Sequence, residues 1–265
     1  LIDLYGLCDS IYVKFVFILS NKSVKKHLYY IENKNNTSIF NFLFYMPKIK
    51  KSWMSFRPEK TLLAKIFITI LHLVGLFGLY WEQSRALFQL ITPFHLVVVT
   101  GILLYFHRDF NKGFLGFFTF AFLVGMITEI IGVNTGLLFG DYSYSSVMGI
   151  RVFGVPLTIG LNWFLLVYLT GGIFQNMIKN DLIAAVLAAS LMVLLDLNLE
   201  VVAVELNFWQ WHQESIPLSN YFTWFLVAFI IQMVHRKASF EKENPLHLTL
   251  FFNLLFFFAI LAMLL

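Results

Sequence analysis

The stretch DLIAAVLAASLMVLLDLNLEVVAVE, residues 181–205, decides the fold class. Its body is apolar over about the twenty residues that one helical crossing of a bilayer requires. Yet Asp196, Asn198 and Glu200 stand near its end. Carboxylates in hydrocarbon are costly, so they face a bundle interior or a water-filled cavity and mark a functional path by default.

Working outward, comparable segments recur at regular intervals, and spans are predicted near 61–81, 86–106, 114–135, 154–175, 181–204, 219–235 and 247–265. The breaks between them carry charges or turn formers, as at Glu82 to Arg85, Gly140 to Arg151 and Asn207 to Pro217. The predicted fold is all-α, a polytopic transmembrane helix bundle of about seven spans. Composition agrees. The chain is 59% hydrophobic and only 13% charged, with a mean hydropathy of +0.76, whereas a soluble domain is about a quarter charged. Such a surplus of apolar surface needs lipid to cover it. The 31 Phe suit lipid-facing walls or an apolar ligand cavity.

Charge is unevenly spread. Residues 1–53 carry +5 and the remaining 212 residues −1, so the basic balance argues for no nucleic-acid surface. The first segment is rich in Lys, Asn and Ser, and its apolar run from Ile11 to Leu19 is too short to cross a bilayer. Met54 is the expected native start. Residues 1–53 are expected to be a non-native or disordered extension, and 54–265 the seven-span membrane domain. The single cysteine, Cys8, falls in the first segment, so no thiol or disulfide chemistry is expected of the body.

Lys and Arg in alternate breaks predict orientation. One side collects Arg57, Lys60, Lys65, Arg108, Lys112, Lys179, Arg236, Lys237 and Lys242; the other has only Arg85 and Arg151. The N-terminus is therefore expected in the cytoplasm, in the cytoplasmic membrane of a prokaryote. Tyr80 with Trp81, Tyr105 with Phe106, and Trp209 with Trp211 sit near span ends, where aromatic anchors belong.

Two polar clusters carry the chemistry. The first runs from Glu129 through Asn134 to Asp141, Tyr142 and Tyr144; Gly132, Gly136 and Gly140 recur every fourth residue and would line one helix face. The second comprises Asp196, Asn198, Glu200 and, beyond Glu205, Trp209 and Trp211. Asp196 and Glu200 are four apart and share a helical face. Two carboxyls in a poorly solvated site do not both ionise cheaply, so one is expected to keep its proton beside an ionised partner. That pairing is what general acid–base chemistry needs. By the predicted topology the third and fifth spans run in the same direction, which places both clusters near one membrane face. Asn162 and Trp163 stand out in the fourth span, because an apolar helix requires neither.

Plainer roles compete. Intramembrane carboxylates also serve as structural pairs, Asp141 reads equally as a turn former, and the tryptophans as interfacial anchors. His72 and His95 are isolated in their spans, and a helix neighbour satisfies such a residue more often than a metal does. No His cluster or H-x-x-x-H spacing appears, so no metal and no cofactor is expected.

The strings EIIGVNTGLLFGDYSYSSVMGIRVFGVPLTIGLNWFLLVY (129–168) and DLNLEVVAVELNFWQWHQESIPLSNYFTWF (196–225) resemble the carotenoid-biosynthesis membrane proteins of the CruF type. These are carotenoid 1,2-hydratases and include bisanhydrobacterioruberin hydratases. The resemblance spans roughly 60–265. One departure is Val201, where the family pattern has proline after the glutamate; this is expected to straighten the helix end. The resemblance implies cofactor-independent hydration of the terminal double bond of an acyclic or monocyclic carotenoid, giving a tertiary alcohol. Glu129, Asp196, Glu200 and Asp141 are then the candidate acids and bases. Asn134, Tyr142, Tyr144, Asn162, Trp163, Asn198, Trp209 and Trp211 are the candidates for holding water and the substrate end. Water and lipid are the implied partners, with other enzymes of the carotenoid pathway. The rival readings are a transporter, a carotenoid-binding protein without catalysis, and an end-group isomerase working through the same cation.

Overall fold

The computed structural model describes residues 58–265. The expectations for residues 1–53, Met54 and Cys8 lie outside the described residues. Seven helices run in order: α1 Pro58–Tyr80, α2 Glu82–Tyr105, α3 Lys112–Thr135, α4 Leu157–Phe174, α5 Asp181–Glu205, α6 Leu218–Lys237 and α7 His247–Leu264. All are long and apolar enough to cross a membrane. Their starts follow local chemistry: the Asn111 side chain accepts from the Phe114 amide, and Asn180 from the Ile183 amide, each satisfying an N–H that has no partner within its helix. The helix α5 runs unbroken through Val201.

The helix α4 is the axis of the bundle. It touches α2, α3, α5, α6 and α7, and 61% of its most apolar window is buried against 17% for α2. Every residue from Trp163 to Gly171 is buried. Around it, α1, α2 and α7 expose rows of Leu, Ile and Phe, as a helix facing lipid does.

At one end of the bundle the α3–α4 and α5–α6 connections form an antiparallel ribbon, β1 Tyr142–Tyr144 with β4 Trp209–Trp211. Tyr142 faces Trp211, Ser143 faces Gln210 and Tyr144 faces Trp209. The side chains alternate: both tyrosines and Trp209 point inward and are buried, while Ser143 and Gln210 are exposed. Next to the ribbon a small hairpin pairs β2 Arg151–Val152 with β3 Val155–Pro156.

The glycine pattern of the third span folds differently from its predicted helical face. The helix α3 ends at Thr135, and Gly136 caps it in the left-handed conformation, φ 67°. Gly140 lies beyond the helix at φ 123° and is crowded by Pro217 and Gln213. The chain turns back at once, and the Phe139 ring returns onto α3: a Cβ on Gly132 would stand 2.6 Å from it.

Candidate functional site

The ribbon brings the two clusters together. Tyr142 and Tyr144 both donate their hydroxyls to Oε2 of Glu129, Tyr144 at 2.8 Å. Trp163, from α4, donates its indole N–H to Oε1 of the same residue at 3.0 Å. On the facing strand Trp209 and Trp211 donate to Oε2 of Glu200 at 2.9 and 3.0 Å. Asn220, from the first turn of α6, donates to Oε1 of Glu200 at 3.0 Å and stands 3.4 Å from Oδ2 of Asp196. Each glutamate thus receives three donors, two from one strand of the ribbon and one from a helix behind it. A carboxylate buried in this way needs such donors to offset its lost hydration. Burial, followed by the neighbouring Glu129 charge, pushes both ribbon phenols above their usual range, so they remain donors.

Glu129 and Glu200 line the same pocket, with Tyr142, Tyr144, Asn162 and Trp224 in its wall. Trp163 and Trp224 stack at 4.2 Å between ring centres. Gly125 on α3 permits this, since a Cβ there would stand 2.5 Å from the Trp163 ring. Asp196 is completely buried and lines neither this pocket nor the cavity next to it. Its Oδ1 has no hydrogen-bond partner.

The pocket adjoins a larger apolar cavity of about 200 Å³ between α1, α2, α4, α5 and α7. Ile159, Asn162, Leu199 and Trp209 belong to both walls. No hydrogen bond ties the Asn162 amide to any described residue, and it stands in the wall that the apolar cavity and the carboxylate pocket share.

The remaining sequence candidates lie elsewhere. Asp141 is exposed and pairs with His212 at 2.9 Å; His212 in turn meets Ser143 at 3.0 Å. Asn134 is exposed and donates to the Ile130 and Phe153 carbonyls, holding the β2–β3 turn. Asn198 is half-buried and bonds back to Leu194 at 3.3 Å. Sequence reasoning passed over Asn220 and Trp224. Asn220 has the signal that picked out Asn162, an amide beside an apolar run, but it lies where the start of the sixth span is hardest to place. Trp209 and Trp211 are carboxylate donors in the site rather than interfacial anchors first. His72 bonds to the Ile68 carbonyl of its own helix at 2.8 Å, as expected, but is not isolated: its ring meets that of His95 at 5.0 Å. Among the described residues no group of three His, Cys, Asp or Glu is arranged to hold a metal ion.

The fold and site together define a seven-helix membrane bundle with two hydrogen-bonded carboxylates beside an apolar cavity. The family comparison makes this specific: residues 90–265 match the family described as carotenoid biosynthesis protein, and the chain belongs to that family. Every residue of the carboxylate pocket lies within the matched region, while α1 and the first turns of α2 precede it. No curated protein and no solved structure matches the chain.

Proposed function

We propose that the protein hydrates the terminal C1=C2 double bond of an acyclic carotenoid end group, producing a tertiary alcohol. The observation that carries this reading is that the apolar cavity shares four wall residues with a pocket faced by both Glu129 and Glu200. A polyene end entering the cavity meets its first polar groups at those two carboxyls. Proton transfer to the less substituted alkene carbon leaves a tertiary cation, water adds to that cation, and a carboxylate takes the extra proton. The proton that the base takes up returns to the acid through solvent, so both carboxyls are regenerated and no cofactor is consumed.

The hydrogen bonds suggest a division of labour. Asp196 has the poorest donor set of the three carboxyls, so it is the group that holds a proton, shared with Glu200 on the same helical face. Glu200 delivers that proton. Glu129, held by two phenols and an indole, orients and deprotonates the water. Trp224, backed by its stack on Trp163, and Trp209 line the pocket and offer π faces to the cation. Asn162 positions water or the chain end at the threshold. Asp141, Asn134 and Asn198 have no part in this scheme.

The distribution of Lys and Arg supports an orientation with the ribbon end outside and the N-terminus in the cytoplasm. Expression in a lycopene-producing host tests the reaction. The expected product is heavier by the mass of one water per reacted end; unchanged carotenoids in a host that accumulates the protein would overturn the reading. A transporter or binding protein gives no new product, and an isomerase gives one of unchanged mass.

A further inference from the structure

The cavity has a second polar end. Across its apolar walls from the carboxylate pocket stand His72 on α1 and His95 on α2, side by side. The His72 Nδ1 bonds to a carbonyl oxygen, so that nitrogen carries the hydrogen, and in the neutral ring Nε2 is left as an acceptor. This Nε2 is buried and has no partner among the described residues. His95, in the same wall, makes no hydrogen bond to any described residue. A buried acceptor without a donor is costly; because His72 lines the cavity, a turn of its ring presents Nε2 to a donor that a ligand brings.

Three helices measure the separation of the two ends. Leu79 to His72 on α1 and Ile159 to Leu166 on α4 each cover seven residues of cavity wall, and Leu195 to Ala203 on α5 covers eight. At 1.5 Å per residue this is about 10 to 12 Å. An extended chain advances about 1.2 Å per bond, so roughly eight to ten bonds span the cavity from His72 to the carboxylate side. The volume of about 200 Å³ lies below that of pockets for drug-sized ligands, about 300 Å³ and more. A molecule confined to this space is therefore short.

We infer that the cavity also binds an acyclic isoprenoid alcohol of two isoprene units, with its hydroxyl between His72 and His95 and its dimethyl-substituted alkene at Glu129 and Glu200. The hydroxyl donates to His72 Nε2 and accepts from a His95 N–H. The alkene at the far end gains water as above: one C–H and one C–O bond form, the π bond is lost, and the proton count closes on the carboxyl pair. The inference rests on the hydration reading and extends it to a substrate short enough to fit within the cavity. Because α1 precedes the region matched to the family, the His72 wall is a feature of this chain beyond that match.

The test compares geraniol with the hydrocarbon of the same skeleton lacking the hydroxyl, using the full chain purified in detergent, with lycopene hydration in the expression host measured in parallel. The alcohol is expected to be hydrated at its dimethyl alkene at least about tenfold faster than the hydrocarbon, because the hydroxyl satisfies a buried polar site. His72→Leu brings the two rates together, while His72→Gln, which keeps an acceptor, retains the preference. Equal rates in the unaltered protein, or a preference that survives His72→Leu, would overturn the inference. If lycopene is hydrated and geraniol is not, this inference alone falls; if neither is hydrated, the hydration reading falls with it.

Discussion

The two ends of α4 solve the problem of buried polar groups in opposite ways. At the ribbon end, Trp163 points at Glu129, and both pocket glutamates have three donors each. At the other end, Tyr168 bonds to His107 at 2.8 Å, and Gln232 donates to the Val167 carbonyl and to Thr170. Yet both ring nitrogens of His235, Nε2 of His247 and Oε1 of Gln232 have no partner. These side chains are packed hard against α4: a Cβ on Gly171 would meet Gln232 and His235, and one on Gly172 would collide with the His247 ring. The ribbon end encloses a pocket into which its acids face, whereas the opposite end is filled by its own side chains. The lesson is that buried polarity in a membrane bundle does not by itself locate chemistry; polarity aimed at open space does.

The comparison breaks most directly at the glutamates. Glu129→Gln and Glu200→Gln should each lower hydration by about a hundredfold or more, the scale of a lost general acid or base. Product formed per folded protein in the lycopene host is the readout. Asp196→Asn should cost less, about tenfold, because Asp196 lines neither cavity and acts through Glu200. A loss equal to that of Glu200→Gln would put Asp196 in contact with the reacting atoms. Single donor losses come next. Tyr144→Phe and Trp209→Phe each remove one hydrogen bond to a charged group, about 1.5–3 kcal/mol, and should slow turnover while the protein still folds.

The opposite end should behave in reverse. Gly172→Ala forces the His247 ring to move, and is expected to cost about 1–3 kcal/mol of stability, as overpacking does. Thermal unfolding in detergent would show the loss, while turnover per folded molecule stays near normal. Smallest of all, Asp141→Asn breaks only an exposed pair with His212. Exposed pairs contribute about 0–1 kcal/mol, so activity and melting should hardly change.

Much of this was legible in the sequence. Hydropathy predicts all seven helices with ends within a few residues, as for 114–135 against Lys112–Thr135 and 219–235 against Leu218–Lys237, because the bilayer imposes a length that apolar runs must meet. Glu129, Asp196, Glu200 and Trp163 stand out for the same reason: lipid makes a buried polar residue conspicuous. The ribbon was hidden. Its strands are three residues long and far apart in the chain, too short for alternation to signal a strand. Without it, Tyr142 and Trp211 stand in the two polar clusters with nothing to show that they face each other. The fourfold glycine spacing points toward a longer helix, and only the left-handed backbone at Gly136 ends it. Asn220 matters through α6 docking against α5, a tertiary fact that no local pattern carries.

The central claim is that carboxyl groups of the protein add a solvent-derived proton to carbon and water to the cation that results. Hydration of lycopene by membranes containing the protein, in deuterated water, tests it most directly. The account predicts one carbon-bound deuterium beside each new tertiary alcohol, with the product lost in both Glu129→Gln and Glu200→Gln. An alcohol formed without carbon-bound deuterium, or formed at the full rate in either variant, would contradict it.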